Sequence, residues 1–226
     1  IVNPDFTVCI MSGNFVERGN TAIVNKWSRA EMALHYGVDL VIELPTIYSN
    51  ASAEYFAFGA INIFNKLNII DSICFGSECG DYNTLKKIAQ VIADEPHEYK
   101  MLLQKNLKSG MSYPAARQCA LDNYFNNDEI SFIIKEPNNI LGIEYLKALK
   151  KHKSHIKPFT FKREYSDYNS LTINNGIASA TAIRTMIKNK ENVHYVIPFE
   201  TYELLEKQKE LGNIITDLSV FEKEII

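Results

Sequence analysis

Three strand-sized apolar runs, each leading into a helical pattern, limit what this chain can fold into more than any other feature. Thr7-Val-Cys-Ile-Met11 ends in Ser12-Gly13-Asn14, Val38-Asp-Leu-Val-Ile-Glu-Leu-Pro45 closes on proline, and Ile69-Ile-Asp-Ser-Ile-Cys-Phe75 opens into Gly76-Ser-Glu-Cys-Gly80. Near-continuous apolar runs of this length are what strands show when both faces are covered. Between them lie a helix over Trp27–Tyr36 stopped by Gly37, and a helix after Ser52 with Ala53, Phe56, Ala57, Ala60, Ile61, Phe64 and Leu67 on one stripe. A further helix spans about Asn83–Ala93, with Leu85, Ile88, Ala89 and Ile92 on its buried face. Repeated strand-then-helix alternation predicts an α/β fold built on a doubly wound parallel sheet, whose ligands bind at the carboxyl ends of the strands. Those ends are Ser12-Gly13-Asn14, Glu43-Leu44-Pro45 and Gly76-Ser77-Glu78.

From His97 to Phe125 the pattern stays helical but becomes more polar, which reads as a helical insertion, with Pro114 suited to a first turn after Ser112. Helices follow at Asn138–Lys151, Ser179–Lys188 and Pro198–Leu211, with a strand at Lys157–Arg163. The 226 residues, 46% of them hydrophobic, suffice for a substantial core. No apolar run is long enough to span a bilayer and no signal sequence opens the chain, so a cytoplasmic location is expected. Cys9, Cys74, Cys79 and Cys119 form neither a CxxC pair nor a disulfide framework and read as reduced, Cys9 and Cys74 as small apolar groups inside strands.

The formal charge of −3 excludes nucleic-acid binding through overall positive charge. A local patch stays open: Lys147, Lys150, Lys151, His152, Lys153, His155 and Lys157 form a basic run at a helix end, where cations also simply complement the macrodipole. His152 and His155 stand in a lysine-rich turn without a metal-ligand pattern, so no metal centre is expected. G-x-S-x-G, P-loop and G-x-G-x-x-G motifs are all missing, which argues against hydrolase, kinase-like and dinucleotide readings.

Two segments carry the chemistry. In Ile177-Ala-Ser-Ala-Thr-Ala-Ile-Arg184, Ser179 and Thr181 fall at a helix start and Arg184 one turn later, so hydroxyls, unpaired N–H groups and a guanidinium suit phosphate. A capped surface helix with an outward arginine would show the same residues. In Glu136-Pro-Asn-Asn-Ile-Leu-Gly142, Asn138 and Asn139 are either helix caps or partners for a polar ligand. Gly76 lets a ligand approach the backbone or serves a tight turn, and Arg163 faces a ligand or an ion pair with Glu164. Asn14–Gly19 and Asn25-Lys26-Trp27 bring Arg18, Lys26 and Trp27 near one another, suited to a nucleotide unless Trp27 anchors a helix in the core.

Taken together, Ser12–Gly19, Lys26-Trp27, Gly37–Pro45, Phe75–Glu78, Gly80-Asp81, Ser112–Ala115, Pro137–Gly142 and Ile177–Arg184 resemble the bacterial tRNA(Met) cytidine acetate ligases, from Thr7 to Leu211. The resemblance implies a Rossmann-like nucleotidyltransferase fold and an enzyme that joins acetate to AMP, releasing pyrophosphate, then passes the acetyl group to N4 of the wobble cytidine of elongator tRNA(Met). ATP is the implied substrate, with Mg. Gly76, Asn138 and Arg163 become ATP contacts, Ser179, Thr181 and Arg184 phosphate contacts, and Lys150, Lys151 and Lys153 candidates for tRNA. The superfamily's H-x-G-H type motif occurs nowhere here and the chain begins with Ile1, so the reading is of a fragment that lacks its first strand and catalytic histidines and is inactive alone. Residues 1–211 then form the nucleotidyltransferase-like domain and 212–226 the start of a helical region. Two other functions stay open: adenylylation of a small cofactor precursor, and non-catalytic binding of nucleotide or RNA.

Overall fold

The computed structural model of the protein describes residues 3–163, 178–216 and 218–224. In chain order it runs β1 (Val8–Ser12), β2 (Phe15–Val16), a 3-10 turn, β3 (Asn20–Thr21), α1 (Lys26–His35), β4 (Leu40–Leu44), α2 (Thr46–Ser49) and α3 (Ala53–Leu67). Next come β5 (Ser72–Ser77), α4 (Tyr82–Asp94), α5 (His97–Lys108), α6 (Tyr113–Phe125), α7 (Asp128–Ile133), α8 (Pro137–Lys151) and β6 (Lys157–Lys162). After the segment outside the description stand α9 (Ala180–Lys188), α10 (Phe199–Glu210) and a terminal 3-10 stretch. No helix among these residues is long and apolar enough to cross a membrane. The chain divides into two compact units, residues 1–60 with 165–226, and residues 61–164.

In the first unit β1 and β4 run parallel, from Val8 opposite Leu40 to Ser12 opposite Leu44, and α1 is the crossover between them. The helix starts where Asn25 caps it, its side chain accepting from Ser28 N at 3.0 Å, and stops before Gly37, whose φ of +89° suits glycine alone at low cost. Short β2 and β3 pair antiparallel. Val24, Met186, Val193 and Leu205 form this unit's apolar centre, with Met32 and Tyr202 packed against them. One expectation fails here, and of the two readings left open for Trp27 the core anchor is removed. The Val38–Pro45 run is not covered on both faces: Leu40 is 46% exposed and only Leu44 is fully buried. Among the described residues β4 hydrogen-bonds to β1 alone, and a two-stranded ribbon has too few neighbours to cover both sides. Trp27 is 75% exposed, so it is no core anchor.

In the second unit β5 and β6 run parallel from Ser72 opposite Lys157 to Ser77 opposite Lys162. Helix α8 packs on α4 and on β5, and α5 on α6. Leu85, Ile88 and Ala89 of α4, the stripe legible in the sequence, are buried, and so are Ile143, Leu146 and Leu149 of α8. Gly142 sets how closely α8 approaches β5, since a Cβ there would lie 2.6 Å from Phe75 Cε2. Pro114 stands in the first turn of α6 after Ser112, as the sequence indicates, and Ser112 holds the N-cap position without a side-chain hydrogen bond to the helix. Cys74 departs from expectation: it is exposed, because its side chain alternates to the opposite face of β5 from the buried Ile73 and Phe75. All four cysteines are free.

Candidate functional site

The carboxyl ends of β5 and β6 are tied together before any ligand is considered. Ser77 Oγ and Thr160 Oγ1 share a hydrogen bond of 2.7 Å across the strands, and Ser77 Oγ accepts from Gly80 N at 3.0 Å. Gly80 sits at φ +67°, where a Cβ would be 2.6 Å from Lys162 Cβ, so the turn after β5 needs glycine on both grounds. Arg163 N donates to Ser77 O at 2.9 Å, extending the ladder one residue past β6.

Within this frame the structure brings Gly76 and Arg163 together. A Cβ on Gly76 would stand 3.0 Å from Arg163 Cγ and 3.2 Å from Phe161 Cζ, so the glycine makes room for the arginine stem. The arginine itself is exposed. Glu164, its suggested ion-pair partner, lies outside the described residues, as does Ile177. Asn138 joins the same loop through Glu78, which the sequence placed at the strand end without giving it a role. Glu78 Oε1 accepts from Asn138 N at 3.1 Å and from Asn138 Nδ2 at 2.6 Å, while Oε2 accepts from Asn139 N at 2.7 Å. Pro137 occupies the first helical position and has no N–H, so the Glu78 carboxylate satisfies the first donors that α8 presents. The second asparagine answers in the other direction. Asn139, 1% exposed, accepts from Cys79 N at 3.1 Å and donates to Ile133 O at 3.1 Å. The two asparagines thus divide the roles that the sequence left open: Asn139 is an internal brace, and Asn138 stays half-buried at the strand end.

The basic run does not form one face. Lys147 is 4% exposed and ion-paired with Glu144, Lys150 Nζ reaches Asp94 Oδ2 at 2.6 Å, and Lys151 and Lys153 are exposed.

In the other unit Ser179 is the N-cap of α9, its Oγ accepting from Ala182 N at 3.0 Å, and it is buried. Thr181 is half-buried in the first turn, and Arg184 is exposed one turn on. Sequence reasoning overlooked Arg29. From α1 its Nη1 donates to Ser12 O at 3.0 Å and Gly13 O at 2.7 Å, clasping the carboxyl end of β1. Burial first, and then the nearby Arg184 guanidinium, hold the Arg29 pKa below its ordinary value. Arg184 thus lies near enough to Arg29 for the two positive charges to repel. The available signal was Arg29 following Trp27 by two positions, on the helix after the first strand. Beside it, Lys26 Nζ pairs with Glu43 Oε2 at 2.6 Å and stands 5.4 Å from the centre of the exposed Trp27 ring, a cation–aromatic pair like the one expected for a nucleotide. Lys26 N donates to Asn14 Oδ1 at 2.9 Å.

With strand-end loops holding Gly76, Asn138 and Arg163 in one unit and a capped helix with Arg184 in the other, comparison with known proteins becomes informative. The family model of the HIGH nucleotidyl transferases matches residues 1–225. The chain belongs to this family. Among curated proteins, it is 48% identical over 221 residues to the tRNA(Met) cytidine acetate ligase of Clostridium novyi, covering 96% of this chain and 55% of the relative. It is 53% identical over 196 residues to that of Acetivibrio thermocellus, covering 86% and 47%. The chain therefore spans about half the length of the curated relatives it matches. Among solved structures, apo TmcAL of Thermotoga maritima superposes with a TM-score of 0.89 at 36% identity over 93% of this chain and 51% of that one. The same protein bound with alpha-thio ATP gives 0.86, again at 36% identity, over 93% and 50%. The α/β fold is thus of the nucleotidyltransferase type, and the resemblance read from the motifs holds.

Proposed function

We propose that this protein acts as an ATP-dependent tRNA(Met) cytidine acetate ligase. The observation that carries the reading is the 48–53% identity to such ligases across 86–96% of the chain. Likeness to a TmcAL structure bound with alpha-thio ATP supports the nucleotide. In the first step a carboxylate oxygen of acetate attacks the α-phosphorus of ATP, the bond to the β-phosphate oxygen breaks, and pyrophosphate leaves with the negative charge. In the second, N4 of the wobble cytidine of elongator tRNA(Met) attacks the acetyl carbonyl, AMP departs, and the nitrogen loses a proton.

Both steps join anions or build charge on leaving phosphates, so rate comes from orientation and from fixed cations and N–H dipoles. In this reading Gly76, Asn138 and Arg163 contact ATP. Ser179, Thr181 and Arg184 serve phosphate: Ser179 holds the first turn of α9 in shape, and Arg184 supplies charge. Arg29, with its Nη1 anchored on Ser12 O and Gly13 O, holds a second guanidinium in a fixed place. Magnesium accompanies ATP, held through its phosphates. Lys150, Lys151 and Lys153 are offered as tRNA contacts, with Lys150 exchanging Asp94 for a phosphate.

The protein as encoded in its genome, incubated with labelled acetate, ATP and tRNA(Met) transcript, should release pyrophosphate only when acetate is present. N4-acetylcytidine should appear in the digested tRNA. Adenylylation of a small molecule without tRNA dependence would replace this reading with another transferase. RNA binding without any turnover would replace it with a binding module.

A further inference from the structure

Glu78 does more than close a loop. An ionised carboxylate can only accept hydrogen bonds, and Glu78 takes three from the start of α8, one of them from Asn138 Nδ2 at 2.6 Å. That contact decides which way round the Asn138 amide stands. Its nitrogen must face Glu78, so its oxygen faces the other way, and Oδ1 accepts from no described residue. The same carboxylate already fills the place where the N-terminus of α8 would attract an anion, so this helix end is not a phosphate seat. What remains at Asn138 is a lone acceptor, oriented by a buried framework of Asn139, Cys79 and Ile133.

We propose that Glu78 is a positioning residue that locks Asn138 as the hydrogen-bond acceptor for the 6-amino group of adenine, and so makes the site select an adenine nucleotide over a 6-oxopurine nucleotide. The inference rests on the reading above, in which Asn138 contacts ATP. ATP carries two kinds of uncharged donor, the 6-amino group and the ribose hydroxyls. A hydroxyl both donates and accepts, so either orientation of the amide would serve it and no lock would be needed. An amine paired with a carbonyl demands one orientation, and a 6-oxo group in its place sets two acceptors against each other. Free rotation would let Asn138 turn its NH2 toward the oxo group; the bond to Glu78 prevents this.

The test is calorimetric titration of the protein as encoded, with non-hydrolysable analogues of ATP and of inosine triphosphate. Wild type should favour the adenine analogue by roughly tenfold or more, the scale of one well-placed hydrogen bond against an unmatched pair of acceptors. In Glu78→Gln, which offers one acceptor where the carboxylate offered several and which can itself donate, the amide is released. The preference should fall to about twofold or less, with the inosine analogue bound at least as tightly as by wild type. Asn138→Ala keeps the backbone N–H to Glu78, so it guards against a Glu78→Gln variant that fails to fold, and it too should lose the preference. A Glu78→Gln protein that weakens both analogues equally and keeps their ratio would make Glu78 a structural brace only and overturn the proposal. An Asn138→Ala protein that keeps the ratio would overturn it as well. Wild type that binds both analogues equally would overturn this inference while leaving ATP binding intact, whereas wild type that binds neither would refute the underlying reading.

Discussion

Glu144 should be among the residues whose loss this fold tolerates least. It sits on α8 at 1% side-chain exposure, with Arg117 Nη1 of α6 at 2.5 Å from one oxygen and the Lys147 ammonium, 5% exposed, against the other. Burial works against the charge on Arg117, but the Glu144 carboxylate more than offsets it and the guanidinium pKa ends above its ordinary value. Glu144→Gln keeps the shape and removes the carboxylate that Arg117 and Lys147 share, at a place where none of the three side chains is more than 16% exposed. Breaking a buried pair from one side costs about 3–5 kcal/mol. For a chain of this size, at roughly 2–4 °C per kcal/mol, the midpoint should fall by about 6–20 °C. Thermal melting followed by far-UV circular dichroism, with urea titration at 25 °C, measures it. The companion is the triple variant Arg117→Met, Glu144→Leu, Lys147→Met, which removes all three charges together and should lie within about 2 kcal/mol of wild type. A Glu144→Gln protein within about 1 kcal/mol of wild type would refute the reasoning, since it would mean that the cluster is hydrated or that the cations find other partners at no cost.

Arg184→Ala should slow acetate-dependent pyrophosphate release by roughly 10- to 150-fold, the equivalent of about 1.5–3 kcal/mol, without moving the melting midpoint, because the side chain is exposed; an unchanged rate would remove it from the phosphate site. Gly142→Ala should destabilise by about 1–3 kcal/mol through overpacking, since the new methyl would meet Phe75 Cε2 at 2.6 Å, and urea titration should show a lowered midpoint at unchanged slope. The hydrogen bond from Tyr36 holds the Glu200 pKa below its ordinary value, with a further lowering from the backbone. The stabilisation from that link is therefore full above the usual carboxylate range and is lost as pH falls through the lowered value. In Tyr36→Phe, the Glu200 carboxyl carbon followed by NMR should titrate at higher pH than in wild type, and an unmoved titration would show that the bond does not persist in solution.

Much of the framework was legible because it depends on neighbours in sequence. Helix α4 announced itself through Leu85, Ile88, Ala89 and Ile92, four residues on one helical face that are all buried. The N-cap role of Ser179 and the stop at Gly37 are likewise local, fixed by a hydroxyl three residues from its donor and by a φ of +89°. Boundaries moved by a few residues where composition misled: Ile69 and Ile70 read as strand, but β5 begins at Ser72 and Ile69 is 70% exposed.

Apolar composition also says nothing about which partners a strand finds. Val38–Pro45 has the residues of a doubly covered strand, yet β4 lies against β1 alone among the described residues and keeps Leu40 in solvent. The candidate site divides in the same way. The chemical types could be read from the chain alone: a glycine at 76, asparagines at 138 and 139, arginines at 163 and 184. What each of them does follows from packing, because the deciding partners stand far away along the chain. Glu78 meets Asn138 across 60 residues, Arg29 clasps the end of β1 from 16 and 17 residues on, and Glu144 is matched to Arg117 across 27. A carboxylate's partner is set by which helix end or guanidinium the packing brings within about 3 Å, and local sequence pattern carries no information about that distance.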